Sequence, residues 1–173
     1  MIQGLYAITP SGLEESDLLS KTEILLKEGI KLIQYRDKIL DKKTFQEKAH
    51  ALLKLTKKYG AKLVINDHIE ICLEISADGF HLGLEDYSSE GNVELLKKNK
   101  EFISKNLICG LSCKWNKELV VNPPENEIKW TYLAVGSFYP SNTKSTIPET
   151  NENVKRKFLS YTDKPLVAIG GIN

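Results

Sequence analysis

Seven short apolar runs recur along the chain, each parted from the next by an amphipathic or charged stretch: Leu5–Thr9, Leu32–Arg36, Lys62–Asp67, Gly79–Gly83, Ile108–Cys113, Tyr132–Phe138 and Leu166–Ile172. They are rich in Val, Ile, Leu and Tyr and only a few residues long, which predicts strands. The intervening stretches predict helices. After Asp41, an N-cap residue, Phe45, Ala49, Leu52 and Thr56 follow at helical spacing, and Gly60 comes after the basic end Lys57-Lys58. Leu18, Thr22, Leu25 and Leu26 form an earlier stripe closed by Gly29, and Ile69–Ile75, Val93–Lys98 and Val154–Leu159 are shorter candidates. Pro123-Pro124 limits a helix in the stretch before them to Asn116–Val121.

Strands alternating with helices predict an α/β chain with a parallel sheet, because parallel neighbours need a crossover between them. Near-continuous apolar strands fit a sheet covered by helices. Periodicity alone leaves both an open doubly wound sheet and a closed barrel.

Chemistry gathers at the C-terminal ends of these strands. Gln34, Arg36 and Lys38 end the second, Asn66 and Asp67 the third, and Asp86 follows the fourth. Ser112 ends the fifth, Ser141-Asn142-Thr143-Lys144 follows the sixth, and Gly170-Gly171 ends the seventh. Both candidate architectures bind ligands at that edge. Singly, each group has an ordinary explanation: solvated lysines, aspartates capping helices, a Gly-Gly turn. Together they form a donor set for phosphorylated molecules. Arg36 offers a planar fork for phosphate oxygens, with Lys38 and Lys144 as point charges. Asp67 and Asp86 supply hard oxygens of the kind that hold Mg2+ together with substrate phosphates. Hydroxyls and glycine amides suit a second phosphorylated group.

Charge and cysteine content narrow the classes. Lys and Arg number 24 against 23 acids, so no global field draws the chain to nucleic acid or to an anionic membrane. The N-terminus lacks the basic and apolar regions of a signal peptide, and no apolar run is long enough to span a bilayer. Cys72, Cys109 and Cys113 are an odd number without zinc-type spacing, so they read as small core residues in a reducing, cytoplasmic protein.

Seven segments in series resemble the signatures of the thiamine phosphate synthase family. They are Leu5-Tyr6-Ala7-Ile8-Thr9, Gln34-Tyr35-Arg36-Asp37-Lys38, Ile65-Asn66-Asp67, Ala77–Asp86, Gly110-Leu111-Ser112-Cys113, Ala134–Lys144 and Val167–Ile172. The resemblance implies a TIM (β/α) barrel, here a single, C-terminally incomplete domain over residues 1–173 with seven parallel strands and lacking the eighth strand–helix unit, the chain being either truncated or an incomplete barrel. It implies a Mg2+-dependent transferase of thiamine biosynthesis that joins hydroxymethylpyrimidine diphosphate to hydroxyethylthiazole phosphate, releasing thiamine monophosphate and diphosphate. Carried over by motif, Gln34, Tyr35, Arg36, Asp37, Lys38, Asn66, Ser112 and Lys144 would hold the pyrimidine diphosphate. Of these, Arg36, Lys38, Ser112 and Lys144 would serve catalysis. Asp67 and Asp86 would bind Mg2+, while Ser141, Asn142, Thr143 and Gly171 would hold the thiazole phosphate. The expected partners are therefore small phosphorylated substrates, and family members often form homodimers.

Some positions depart from the family pattern. Leu84 replaces a usual glutamine, Ser141 a threonine and His68 a common arginine, and Lys114 stands where histidine is frequent. A histidine near that place carries proton transfer in the related thiazole tautomerase branch, so its absence argues against that isomerase. The alternatives to the synthase are that tautomerase and a catalytically impaired phosphate-binding barrel. His50 and His81 are read as structural.

Overall fold

The computed structural model describes residues 4–124, 128–139 and 152–172. The seven strands all form, each within three residues of its predicted bounds: β1 (Tyr6–Ile8), β2 (Leu32–Tyr35), β3 (Lys62–Asn66), β4 (Gly79–Leu82), β5 (Ile108–Ser112), β6 (Tyr132–Gly136) and β7 (Leu166–Ile169). The chain divides into two compact units, Met1–His81 with Asn106–Ile108 and Leu82–Lys105 with Cys109–Asn173.

In the first unit β1, β2, β3 and β4 pair in parallel in chain order. Helices α1 (Glu15–Lys27), α2 (Lys42–Lys58) and α3 (Ile69–Glu74) cross between them. Helix α2 starts where the sequence predicts. The Asp41 carboxylate accepts the backbone N–H groups of Lys43 and Thr44 at 3.0 Å and the Thr44 hydroxyl at 2.7 Å. Those bonds satisfy two of the donors that a helix start leaves orphaned. Its buried stripe is Phe45, Ala49, Leu52, Leu53 and Thr56, and α1 buries Leu18, Thr22 and Leu26. The inner strands are buried on both faces, as a helix-covered parallel sheet requires. Leu63, Val64 and Ile65 are wholly buried, each contributing about 1.5–3 kcal/mol of hydrophobic stabilisation.

In the second unit β5 pairs with β6 and β6 with β7, again in parallel. Its helices are α4 (Leu84–Tyr87), α5 (Glu90–Lys98), α6 (Lys100–Asn106), α7 (Lys117–Val121) and α8 (Glu152–Phe158). The prediction of one helix at Val93–Lys98 is here corrected to three successive helices. The segment is charged, and Leu96 and Ile103 are the buried anchors of α5 and α6, so its hydrophobic period is faint. The break between α5 and α6 falls at Asn99, whose side-chain amide donates to the Leu95 carbonyl at 2.9 Å. Asn116 caps α7 by accepting from the N–H groups of Glu118 and Leu119.

Candidate functional site

Pairing register sorts the residues of the first unit by face. Ile8 aligns with Gln34, Gln34 with Val64, and Val64 with Gly79, while Asn66 aligns with His81. Side chains alternate along a strand, so Gln34, Asn66 and His81 share one face. Tyr35, aligned with Ile65 and through it with Phe80, lies on the other. That second face meets the helices: the Tyr35 ring packs on Phe45 of α2, with centroids 4.3 Å apart.

The face decides which predicted residues gather. The Asp67 carboxylate lies 3.2 Å from the Lys38 ammonium and accepts the Asn66 side-chain amide at 2.6 Å. Gln34 donates to the Tyr6 hydroxyl at 2.9 Å and is almost fully buried. Arg36 follows on a half-buried position, and Lys38 is exposed. An ammonium, an amide and a carboxylate thus meet at the C-terminal edge of β2 and β3, with Arg36 two residues before Lys38 in the chain. Asp67 does not cap α3; the N-cap position is His68, and it forms no side-chain cap. Asp67 instead holds φ at +64°, a left-handed conformation that costs a non-glycine residue free energy. Its carboxylate turns to Lys38 and Asn66 rather than to the helix.

Two residues of the same motif face elsewhere. Tyr35 is enclosed in the sheet–helix core, and its hydroxyl has no hydrogen-bond partner among the described residues. Burial, with the charges of Asp37 and Glu15, pushes its pKa well above the usual phenol value. The Asp37 carboxylate is buried and accepts two backbone N–H groups, those of Gly12 at 2.8 Å and Ile39 at 3.1 Å. Both residues were expected to touch substrate, and both side chains are directed into the protein.

His81 was read as structural from the sequence. The register places it beside Asn66 on the polar face, where burial lowers its pKa to about 4 against the pull of Asp67. It is therefore a neutral imidazole at pH 7. The signal for it is strand pairing, which no single strand's pattern contains.

In the second unit Asp86 lies in the first turn of α4, half-buried, and its backbone carbonyl accepts from the Ser89 hydroxyl and the Asn92 amide. Ser112 ends β5 and is half-buried. The Phe138 and Tyr139 N–H groups donate to the carbonyls of Ile169 and Gly170, each at 3.0 Å, tying the segment after β6 to the end of β7. Gly170 and Gly171 both have positive φ, and a Cβ on Gly170 would lie 2.6 Å from the Ser137 side chain, so the turn admits glycine alone. Ser141, Asn142, Thr143 and Lys144 lie outside the described residues.

As a test of the metal expectation, the described residues hold no group of three or more His, Cys, Asp and Glu side chains arranged for a metal. An all-protein cage of that kind is therefore not among them. One or two carboxylates beside cationic groups are instead the donor set of a Mg2+ ion that completes its shell with water and substrate phosphate. In the first unit the Asp67 carboxylate, set beside the Lys38 ammonium, is a group of that kind, and in the second unit Asp86 is a half-buried carboxylate in the first turn of α4.

Comparison with known proteins gives this arrangement its context. The profile of the family described as thiamine monophosphate synthase matches residues 5–173. A thiamine-phosphate synthase of Nitrosospira multiformis is 37% identical over 99% of this chain and 70% of its own length. One from a Janthinobacterium strain is 34% identical over 99% of this chain and 78% of its own. The chain belongs to the thiamine monophosphate synthase family. The solved thiamine phosphate pyrophosphorylase of Pyrococcus furiosus superposes with a TM-score of 0.74 at 29% identity, covering 97% of this chain and 75% of that one. The fold is the TIM-like (β/α) arrangement of that protein, with seven parallel strands in chain order. No helix among the described residues is long and apolar enough to cross a membrane. Within this family member the Gln34–Lys38 motif is divided: the Lys38 ammonium lies against Asp67, while the Tyr35 and Asp37 side chains are buried.

Proposed function

We propose that the chain is a thiamine-phosphate synthase, a transferase that joins hydroxymethylpyrimidine diphosphate to hydroxyethylthiazole phosphate in thiamine biosynthesis. Membership of the family supports the reaction class. The observation that carries the site is the meeting of Lys38, Asn66 and Asp67 beside Arg36 at the C-terminal edge of β2 and β3.

In this reading the bond between the pyrimidine methylene carbon and the diphosphate oxygen breaks, and its electron pair leaves with diphosphate. The lone pair of the thiazole nitrogen then forms the new carbon–nitrogen bond. Arg36, Lys38 and Lys144 neutralise charge as it builds on the leaving group, an electrostatic contribution. Asn66, Ser112 and Gln34 orient the pyrimidine diphosphate by neutral hydrogen bonds, and alignment of the two substrates lowers the barrier further. Asp67 and Asp86 would hold Mg2+, which when bound would supply additional positive charge to the diphosphate. Ser141, Asn142, Thr143 and Gly171 hold the thiazole phosphate. No side-chain nucleophile is needed. The protein acts in the cytoplasm on small phosphorylated molecules, as a homodimer.

Omission experiments test this reading. Diphosphate release should require both substrates and Mg2+, and chelation should stop it. Diphosphate release that survives chelation would remove Asp67 and Asp86 as metal ligands, and metal-independent conversion of a thiazole phosphate with no diphosphate released would favour the isomerase. Release of diphosphate without the thiazole phosphate would mark a hydrolase instead.

A further inference from the structure

Between the first and second strands the chain makes a set of contacts that the reaction does not itself call for. Thr9 donates its backbone N–H to the Gln34 carbonyl at 3.0 Å, its hydroxyl accepts the Arg36 N–H at 3.0 Å, and the same hydroxyl donates to the Arg36 carbonyl at 3.3 Å. The Ser11 hydroxyl accepts the Lys38 N–H at 3.3 Å. Asp37 closes the set, with one carboxylate oxygen on the Gly12 N–H and the other on the Ile39 N–H. The β1–α1 loop is in turn anchored from α2, where the buried Lys48 ammonium donates to the Leu13 carbonyl at 2.7 Å. Gly12 has φ +79°, and a Cβ there would come 3.0 Å from the Ile39 side chain. Glycine thus lets the loop turn close enough to present its N–H to Asp37.

Every residue from Arg36 to Ile39 is tied in this way. The backbone of Arg36 and the side chain of Asp37 each form two of these bonds, and the backbones of Lys38 and Ile39 one each. Arg36 and Lys38 themselves have long, flexible side chains and sit on half-buried and exposed positions. Loops at such positions are mobile unless their backbone is satisfied. A buried carboxylate accepting backbone N–H groups is among the stronger neutral-partner contacts a loop can have.

We infer that Asp37, with Thr9 and Ser11, is a positioning residue: it locks the β2–α2 loop onto the β1–α1 loop so that Arg36 and Lys38 are presented to the diphosphate in a fixed geometry. The inference rests on the diphosphate-binding role proposed above. It replaces direct substrate contact as the role of Asp37.

The experiment is a double-mutant cycle read by binding of inorganic diphosphate with Mg2+ to the purified chain. Asp37→Ala should weaken binding about tenfold, the effect of one or two lost buried hydrogen bonds. Binding of the thiazole phosphate should be unchanged, a selectivity that general destabilisation would not produce. In the Arg36→Ala and Lys38→Ala backgrounds the Asp37→Ala loss should shrink, because a residue acting through its neighbours has less to position once they are gone. Ser11→Ala removes a single brace at an exposed position and should weaken diphosphate binding about twofold to threefold. Asp37→Asn keeps one acceptor oxygen and should fall between wild type and Asp37→Ala. If Asp37→Ala does not fold, Asp37→Asn and Ser11→Ala carry the same cycle. Unchanged diphosphate affinity, equal loss of both ligands, or losses that multiply independently in the combined variants would overturn the inference. A wild type that binds diphosphate yet makes no thiamine phosphate would sink the proposed function and leave the positioning role standing.

Discussion

At the C-terminal edge of the first unit, nearly every polar side chain of interest has a named partner: Gln34 on Tyr6, Lys38 and Asn66 on Asp67, Asp37 on two backbone amides. In the second unit the described residues that follow β5 and β6 are held by packing and backbone bonds. There the Trp115 ring meets Phe138 and Phe158 at centroid distances of 4.9 and 5.1 Å, and its indole N–H donates to the Ser137 carbonyl. The contrast matches the roles proposed for the two regions. Charges are held in place by directional bonds, whereas glycine amides and hydroxyls are aimed by fixing the backbone that bears them.

The comparison breaks most visibly at the carboxylates. Asp67→Ala releases Lys38 and Asn66 together, and Asp86→Ala removes the other proposed metal ligand. Each should lower Mg2+-dependent turnover by at least about a hundredfold while far-ultraviolet circular dichroism stays unchanged. Near-normal activity in both variants would show that the first unit's ionic cluster is ornamental to the chemistry.

Packing faults come next. A Cβ on Gly110 would lie 2.1 Å from the Tyr132 ring in the second unit, and one on Gly79 would lie 2.1 Å from the Ile108 backbone carbonyl in the first. Gly110→Ala and Gly79→Ala should each destabilise by about 1–3 kcal/mol in denaturant unfolding. Gly79→Ala should cost more, because a backbone atom has less room to move than a ring. The reverse order would mean that the second unit's packing is the more rigid.

Smaller again is the helix cap. Asp41→Ala should lower the melting temperature by a few degrees without altering diphosphate affinity, since Asp41 braces α2 rather than the edge. The Thr44 hydroxyl, then the backbone amides, hold the Asp41 carboxyl below its ordinary value. Its contribution is accordingly present above the unfolded-state pKa and lost as pH falls through the lowered value. The difference between wild type and Asp41→Ala, followed by thermal unfolding against pH, should therefore vanish in acid.

The smallest effect is an absence of reaction. Burial raises the Cys109 and Cys113 thiols to about 12, and Cys72 is buried as well. At pH 8 an alkylating reagent should label none of the three in the folded chain and all of them after denaturation, as counted by intact-mass spectrometry. Labelling of Cys109 or Cys113 in the native protein would show that the second unit opens more readily than its packing indicates.

Much of this was legible in the chain. The seven apolar runs located every strand, because a strand buried on both faces is a short, unbroken apolar word. Asp41 announced α2 because a capping residue acts locally. The helices between Leu84 and Asn106 were harder, since Leu96 and Ile103 give too few anchors to set a period. Within the Gln34–Lys38 motif the residue types were visible but not their directions. That Tyr35 turns to Phe45 and Asp37 to Gly12 depends on pairing and loop contact across 25 residues or more of sequence. The neighbour of His81, a residue read as structural, was likewise out of view, since Asn66 belongs to another strand.

The most direct test of the account is to incubate the purified chain with hydroxymethylpyrimidine diphosphate, hydroxyethylthiazole phosphate and Mg2+ and to quantify thiamine phosphate and diphosphate in the same samples. The account predicts that the two products appear together in equal amounts and over many turnovers. Diphosphate binding with no thiamine phosphate formed would contradict it.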